Sequence, residues 1–85
     1  MLNSSGIVEI DVHGRTAAEA KKQIDRLLRN AGGAVYRIRV IHGYHGGTRI
    51  SQMVSEEYSY GRHEKVKRVQ GGNNPGITEL VLREL

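Results

Sequence analysis

The chain passes twice from a β-branched run through glycine into a segment with helical spacing, and that junction most limits what it can fold into. Ile7, Val8, Glu9, Ile10, Asp11 and Val12 alternate, so that Val8, Ile10 and Val12 share one face of a strand, with Ile7, Glu9, Asp11 and His13 on the other. Gly14 stops the strand. Thr16-Ala17-Ala18-Glu19 then has the form of a capping box, in which the Thr oxygen and the Glu carboxylate satisfy free backbone donors at a helix start. Ala17, Ala20, Ile24, Leu27 and Leu28 recur at spacings of three and four, which buries one stripe and leaves Lys21, Lys22, Asp25, Arg26 and Arg29 in water. Asn30-Ala31-Gly32-Gly33 supplies a helix stop.

The second unit repeats the logic. Val35 to Ile41 reads as a strand that ends at His42-Gly43, and a glycine-rich loop leads into Thr48. Ile50, Met53, Val54 and Tyr58 form a second helical stripe reaching about Ser59, with Gly61 as terminator. Lys65 to Val69 reads as a third strand, 71–76 as a turn and Ile77 to Leu82 as a fourth strand. The order βαβαββ implies a two-layer α/β sandwich: a four-stranded mixed sheet with two helices on one face. Residues 1–6 are expected to be a flexible N-terminus and 7–85 a single domain, since 85 residues are too few for two ordinary domains. Tyr36, Tyr58 and Tyr60 are expected as half-buried packing residues.

Composition removes several classes of function. With no cysteine there is no disulfide framework, thiolate nucleophile or Cys-based zinc site. No signal-peptide pattern opens the chain and no run of about eighteen apolar residues occurs, so a cytoplasmic protein without membrane contact is expected. Thirteen Lys and Arg against nine Asp and Glu give a net charge of +4, which suits a polyanionic partner. Lys65, Lys67, Arg68, Arg37 and Arg39 are basic residues that could track such a backbone.

Strand-helix-strand units make right-handed parallel crossovers, so the first three strands should run the same way and their C-terminal ends share an edge. That edge would carry Asp11 to Arg15, His42 to Thr48 and the turn holding Asn73 and Asn74. Open α/β sheets bind ligands outside the carboxyl ends of strands, and helix N-termini attract anions there. Gly14, Gly43, Gly46 and Gly47 let backbone amides approach a phosphate, Arg15, Arg49 and Arg68 could add charge, Tyr44 could stack on a base, and His45, Thr48, Asn73 and Asn74 complete the candidate binding set.

For chemistry, His13 and Asp11 point to the same strand face, as a carboxylate must if it is to orient an imidazole. His42 could assist. Phosphodiester cleavage needs a base, an acid and donors for the equatorial oxygens, and His13, His42 and the loop amides offer all three. A structural reading stands beside it, in which Asp11 and His13 cap the turn and His42 bonds a loop carbonyl. Asp11 could also hold Mg²⁺, although no converging ligand set indicates a metal or other cofactor. The glycine loop is neither a Walker motif nor a dinucleotide fingerprint, so no nucleoside triphosphate is expected.

Ile10-Asp11-Val12-His13-Gly14, the Thr-capped helix, Val40-Ile41-His42-Gly43-Tyr44-His45-Gly46-Gly47-Thr48 and the 73–76 turn together resemble the Smr (small MutS-related) domain in its short stand-alone form. The family's Leu-Asp-x-His-Gly motif is matched at residues 10–14 with Ile for Leu, and its His-Gly-x-Gly motif at His42-Gly43, where the later glycines fall differently. The resemblance implies a fold similar to the C-terminal domain of translation initiation factor 3, and an endonuclease nicking DNA or RNA. It implies, as an alternative, a non-catalytic DNA/RNA-binding module. A protein-interaction domain is a third reading, and the chain is expected to act as a monomer.

Overall fold

A computed structural model describes residues 3–4, 6–44 and 48–84. Along them run β1 (Asn3–Ser4), β2 (Ile7–Asp11), α1 (Ala17–Asn30), β3 (Arg37–Ile41), α2 (Thr48–Tyr58), β4 (Arg68–Gly71) and β5 (Ile77–Val81). The strands lie in the order β1-β2-β3-β5-β4. β2 and β3 are parallel, and β5 is antiparallel to both β3 and β4, so β2, β3 and β4 point the same way, as the crossover rule requires. The result is the expected two-layer mixed sheet carrying two helices.

Beyond single-residue shifts at element ends, the boundaries differ from the sequence reading at three places, the mildest being β3, which begins at Arg37 rather than Val35. Asn3 and Ser4 pair antiparallel with Val8 and Ile7, adding a short edge strand inside the stretch read as a flexible terminus. The reversal turns on Gly6, whose φ of +88° belongs to the left-handed region and whose carbonyl accepts from the Tyr36 amide at 2.9 Å. The third strand begins at Arg68 rather than Lys65. Val66 and Val69, three apart, both contribute to the core, so the chain must turn between them before period two can begin.

Register sorts the sheet into two faces. Val8, Ile38 and Leu80 align across β2, β3 and β5 and are all buried, Ile38 and Leu80 in one cluster with Ala20, Ile24 and Leu28 of α1 and Ile50, Met53 and Val54 of α2. On the opposite, helix-free face, Glu9, Arg39, Glu79 and Gln70 form one cross-strand row. Arg39 donates to Glu9 at 2.9 Å and to Glu79 at 3.1 Å, and Gln70 donates to Glu79 at 2.8 Å. Arg37 lies 3.6 Å from the same carboxylate. Hydrogen bonds to these two glutamates raise Arg39 above its ordinary pKa. Arg37 and Arg39 are thus neutralised in the sheet, not held out to track a polyanion.

α1 begins as read: Thr16 Oγ1 accepts from the Glu19 amide at 3.1 Å and the Glu19 carboxylate accepts from the Thr16 amide at 2.9 Å. Its C-terminus is satisfied by Lys65, whose Nζ donates to the Leu28 carbonyl at 2.7 Å, so this lysine is a helix cap.

α2 joins α1 through Tyr58, which is fully buried rather than half-buried and donates to Asp25 at 2.6 Å. Tyr60, by contrast, is 96% exposed at a φ of 57°, where a surface turn holds it away from the core. Burial and the hydrogen bond to Asp25 push the Tyr58 phenol far above 10.0. A raised folded-state value means that the contribution is complete below the unfolded pKa of 10.0 and is lost as pH rises beyond it. Tyr58→Phe should therefore cost about 1–2 kcal/mol near neutral pH, and the gap from the parent should narrow above about pH 10. Urea unfolding at the two pH values measures it; a constant gap would contradict the assignment.

Candidate active site

β2 carries the sheet register one residue past its end, because the Val12 amide donates to the Ile41 carbonyl at 2.9 Å. This brings the segment after β2 beside the segment after β3. Gly14, at φ +77°, reverses the chain into α1, and the Arg15 amide donates back to the Val12 carbonyl at 3.1 Å. Gly43, at φ +84°, makes the corresponding reversal after β3. A Cβ placed on Gly43 would lie 3.6 Å from the His13 Cβ, so the two loops are in contact.

The turn before β5 completes the edge. Gly76 is buried, and its carbonyl accepts from the amides of His42 at 2.9 Å and Gly43 at 3.0 Å. A Cβ at Gly76 would stand 3.2 Å from Asn74 Oδ1, where that side chain would have to give, and 3.4 Å from the Gly43 backbone, so the two segments pack in contact. Asn74 shapes this turn by accepting from the Gly76 amide through Oδ1 at 2.8 Å. Three segments some thirty residues apart in sequence therefore interlock through backbone contacts.

On this edge, Asp11 Oδ1 accepts from the His13 backbone amide at 3.1 Å and lies 2.5 Å from His13 Nδ1. Those two bonds to His13 hold the Asp11 carboxyl below its usual 3.8, so it is an anion at neutral pH. An anionic carboxylate only accepts, which places the imidazole proton on Nδ1 and leaves Nε2 as the outward atom. The side chain of His13 is 71% exposed and that of Asp11 53%. The arrangement can deliver or remove a proton at Nε2, with Asp11 fixing the ring's tautomer and orientation.

His42 is placed differently. It continues the inward alternation of Ile38 and Val40, and only 2% of it is exposed. Its Nδ1 lies 3.1 Å from the Gly43 carbonyl, which can only accept, so Nδ1 is protonated. In the neutral ring Nε2 then accepts from the Thr78 hydroxyl at 2.8 Å. Both nitrogens are committed, which removes His42 from direct contact with a substrate and makes it a support for the Gly43 loop.

Among the remaining sequence candidates, Tyr44 is 62% exposed beside Gly43, while Thr48 and Arg49 are exposed at the start of α2. Asn73 is exposed on the third segment. His45, Gly46 and Gly47 lie outside the described residues. Arg68 does not join the site: it pairs in register with Val81, four residues from Ile77 on β5, which is about 13 Å of strand. Its guanidinium is held there by Glu84 at 2.7 Å. Among the described residues no group of three His, Asp or Glu could hold a metal ion, and no helix is long and apolar enough to cross a membrane. The sequence reading missed Gly76 and Thr78; the period-two pattern that buries Leu80 also turns Thr78 inward beneath His42, and that signal was available.

No family model matches the sequence, and no curated protein matches it. Among solved structures, the Smr domain of Thermus thermophilus MutS2 superposes with a TM-score of 0.76 and 27% identity over 91% of this chain and 99% of that one. The SMR domain of NEDD4-binding protein 2 has the same fold, with a TM-score of 0.61 and 23% identity over 99% of this chain and 94% of that one. Fold and edge define a class: a two-layer α/β domain with Asp-x-His-Gly after one parallel strand and His-Gly after the next. The chain is similar to these Smr domains and shares their fold over nearly its whole length.

Proposed function

We propose that this domain nicks the sugar-phosphate backbone of DNA or RNA, with His13 as the proton-transferring group and Asp11 as the residue that orients it. The observation that carries this reading is the 2.5 Å contact of Asp11 with His13 Nδ1, which leaves Nε2 facing solvent at a glycine-bounded edge. Gly14, Gly43 and the start of α2 at Thr48 and Arg49 border the place where a phosphate would sit, and Arg15 and Tyr44 flank it. His42 acts as a positioning residue. Asp11 Oδ1 is engaged by His13, so any Mg²⁺ would use Oδ2 together with phosphate oxygens and water.

The exposure of the Asp11–His13 pair also suits a second reading, a binding module without turnover, because both side chains stand more than half open to water among the described residues. One assay separates the two. Purified parent and His13→Ala proteins are incubated with branched DNA, single-stranded DNA and RNA, with and without EDTA. Parent cleavage that falls by about 10²–10⁴ in His13→Ala, with binding kept, is the expected result. Binding without cleavage by the parent favours the second reading.

A further inference from the structure

The charge of this chain is not evenly neutralised. Arg37, Arg39 and Arg68 are held by carboxylates, Lys21 by Asp25, and Lys65 by helix carbonyls. Among the described residues, Arg15, Lys22, Arg26 and Arg29 make no ion pair; neither do Arg49, Arg62, Lys67 and Arg83, but the first four lie along one line. At 100° per residue, Lys22, Arg26 and Arg29 fall within a sector of about 60° on α1, opposite the stripe of Ala20, Ile24 and Leu28 that faces the core. Arg15 extends the same line back to the loop that holds His13 and Gly14.

A groove of about 260 Å³ follows the first part of this line, bordered by Arg15, Glu19, Lys22, Gln23 and Arg26. Glu19 is the acid on this stretch, and it is already occupied as the cap of Thr16. We infer that this stripe is the path of the nucleic-acid strand, which leaves the Asp11–His13 edge and runs along the solvent face of α1 with its phosphates on Arg15, Lys22, Arg26 and Arg29. The inference rests on the nucleic-acid reading proposed above and adds a direction to it.

The dimensions agree with such a path. Lys22 to Arg29 spans about 10 Å of helix axis. One strand of a duplex presents a charge roughly every 3.4 Å of its axis, so the three helical cations cover a stretch of about three phosphate steps. The contacts carry no base identity, so the path serves DNA and RNA alike.

The test is a salt titration of binding, read by anisotropy with a short fluorescein-labelled single strand and a duplex, in both DNA and RNA. The parent chain is compared with Lys22→Gln/Arg26→Gln/Arg29→Gln, each also prepared with His13→Ala so that the probe stays intact. Losing three phosphate contacts should reduce the slope of log Kd against log salt by about two for the single strand and by nearly three for the duplex. If the lines converge near molar salt, the single-strand change weakens binding by on the order of 100-fold at a tenth of that salt. Lys67→Gln/Arg83→Gln/Arg62→Gln removes the same charge elsewhere and should leave the slope within about half a unit of the parent. An unchanged slope in the α1 variant, or an equal fall in the control, overturns the path while leaving the Asp11–His13 proposal standing. Failure of the parent itself to bind any probe at low salt overturns the nucleic-acid reading and the path with it. Unfolding curves for the variants establish that the helix is retained, which glutamine favours nearly as well as lysine and arginine.

Discussion

Asp11→Asn should lower the cleavage rate by about 10²–10⁴ while leaving Kd for uncleaved strand within a few-fold of the parent. The amide preserves the size of the carboxylate but supplies no charge, and its NH₂ group can donate to Nδ1. That forces the proton onto Nε2, the atom that must be free to accept one. The carboxyl of Asp11 sits below its ordinary 3.8 because of the two bonds from His13. A depressed value means that the Asp11–His13 interaction is intact above pH 3.8 and is lost only as pH falls through the lower folded-state value. The acid side of the parent's pH–rate profile above about pH 4 should therefore owe nothing to Asp11. A variant that cleaves within threefold of the parent would remove Asp11 from the mechanism.

The second large effect concerns stability. His42→Ala should cost about 2–4 kcal/mol, because it leaves a cavity under the loop and strips the Gly43 carbonyl and Thr78 hydroxyl of their partner. For a domain of this size each kcal/mol moves Tm by about 4–8 °C, so a fall of roughly 10–25 °C is expected by calorimetry. Thr78→Val should cost about 1–3 kcal/mol through the orphaned Nε2, and in the His42→Ala background much less, since the two side chains act on each other. Strict additivity of the two losses would refute the contact. Thr78 never meets the substrate in this scheme, so Thr78→Val should alter kcat by less than tenfold at temperatures where it is folded.

Element type was legible wherever a period ran uninterrupted for five or more residues. Ile7–Asp11, the α1 stripe and the Thr16–Glu19 cap could be read because each local signal agrees with its tertiary placement. Strand β4 was displaced by three residues because Lys65 and Val66 serve neighbours distant in sequence: one caps α1 and the other fills the core. No local pattern encodes either. The convergence of the three loops followed from crossover handedness alone. The separate fates of Asp11 and His42 did not, although strand parity distinguishes them: Asp11 aligns with Ile41 on the helix-free face, and His42 takes the parity of Val40. The pairing of Arg37 and Arg39 with glutamates from other strands was hidden because register, and not sequence distance, chooses cross-strand partners, and Arg68 meets Glu84 only because β5 runs out beside it.

The strand order has a consequence in time. Of these five strands β5 is synthesised after the others, yet it lies between β3 and β4, and its leading turn supplies the Gly76 carbonyl on which His42 and Gly43 hang. Until residues 76–81 have emerged from the ribosome, β3 has one unpaired edge and the Gly43 loop has no anchor. Chains are made at about 5–20 residues per second, so the parallel β2–β3 pair waits a second or more for its partner. An interrupted chain that ends before Gly76 would carry Asp11 and His13 but not the surface that sets them against the second loop. The domain thus cannot assemble its working edge ahead of its own completion.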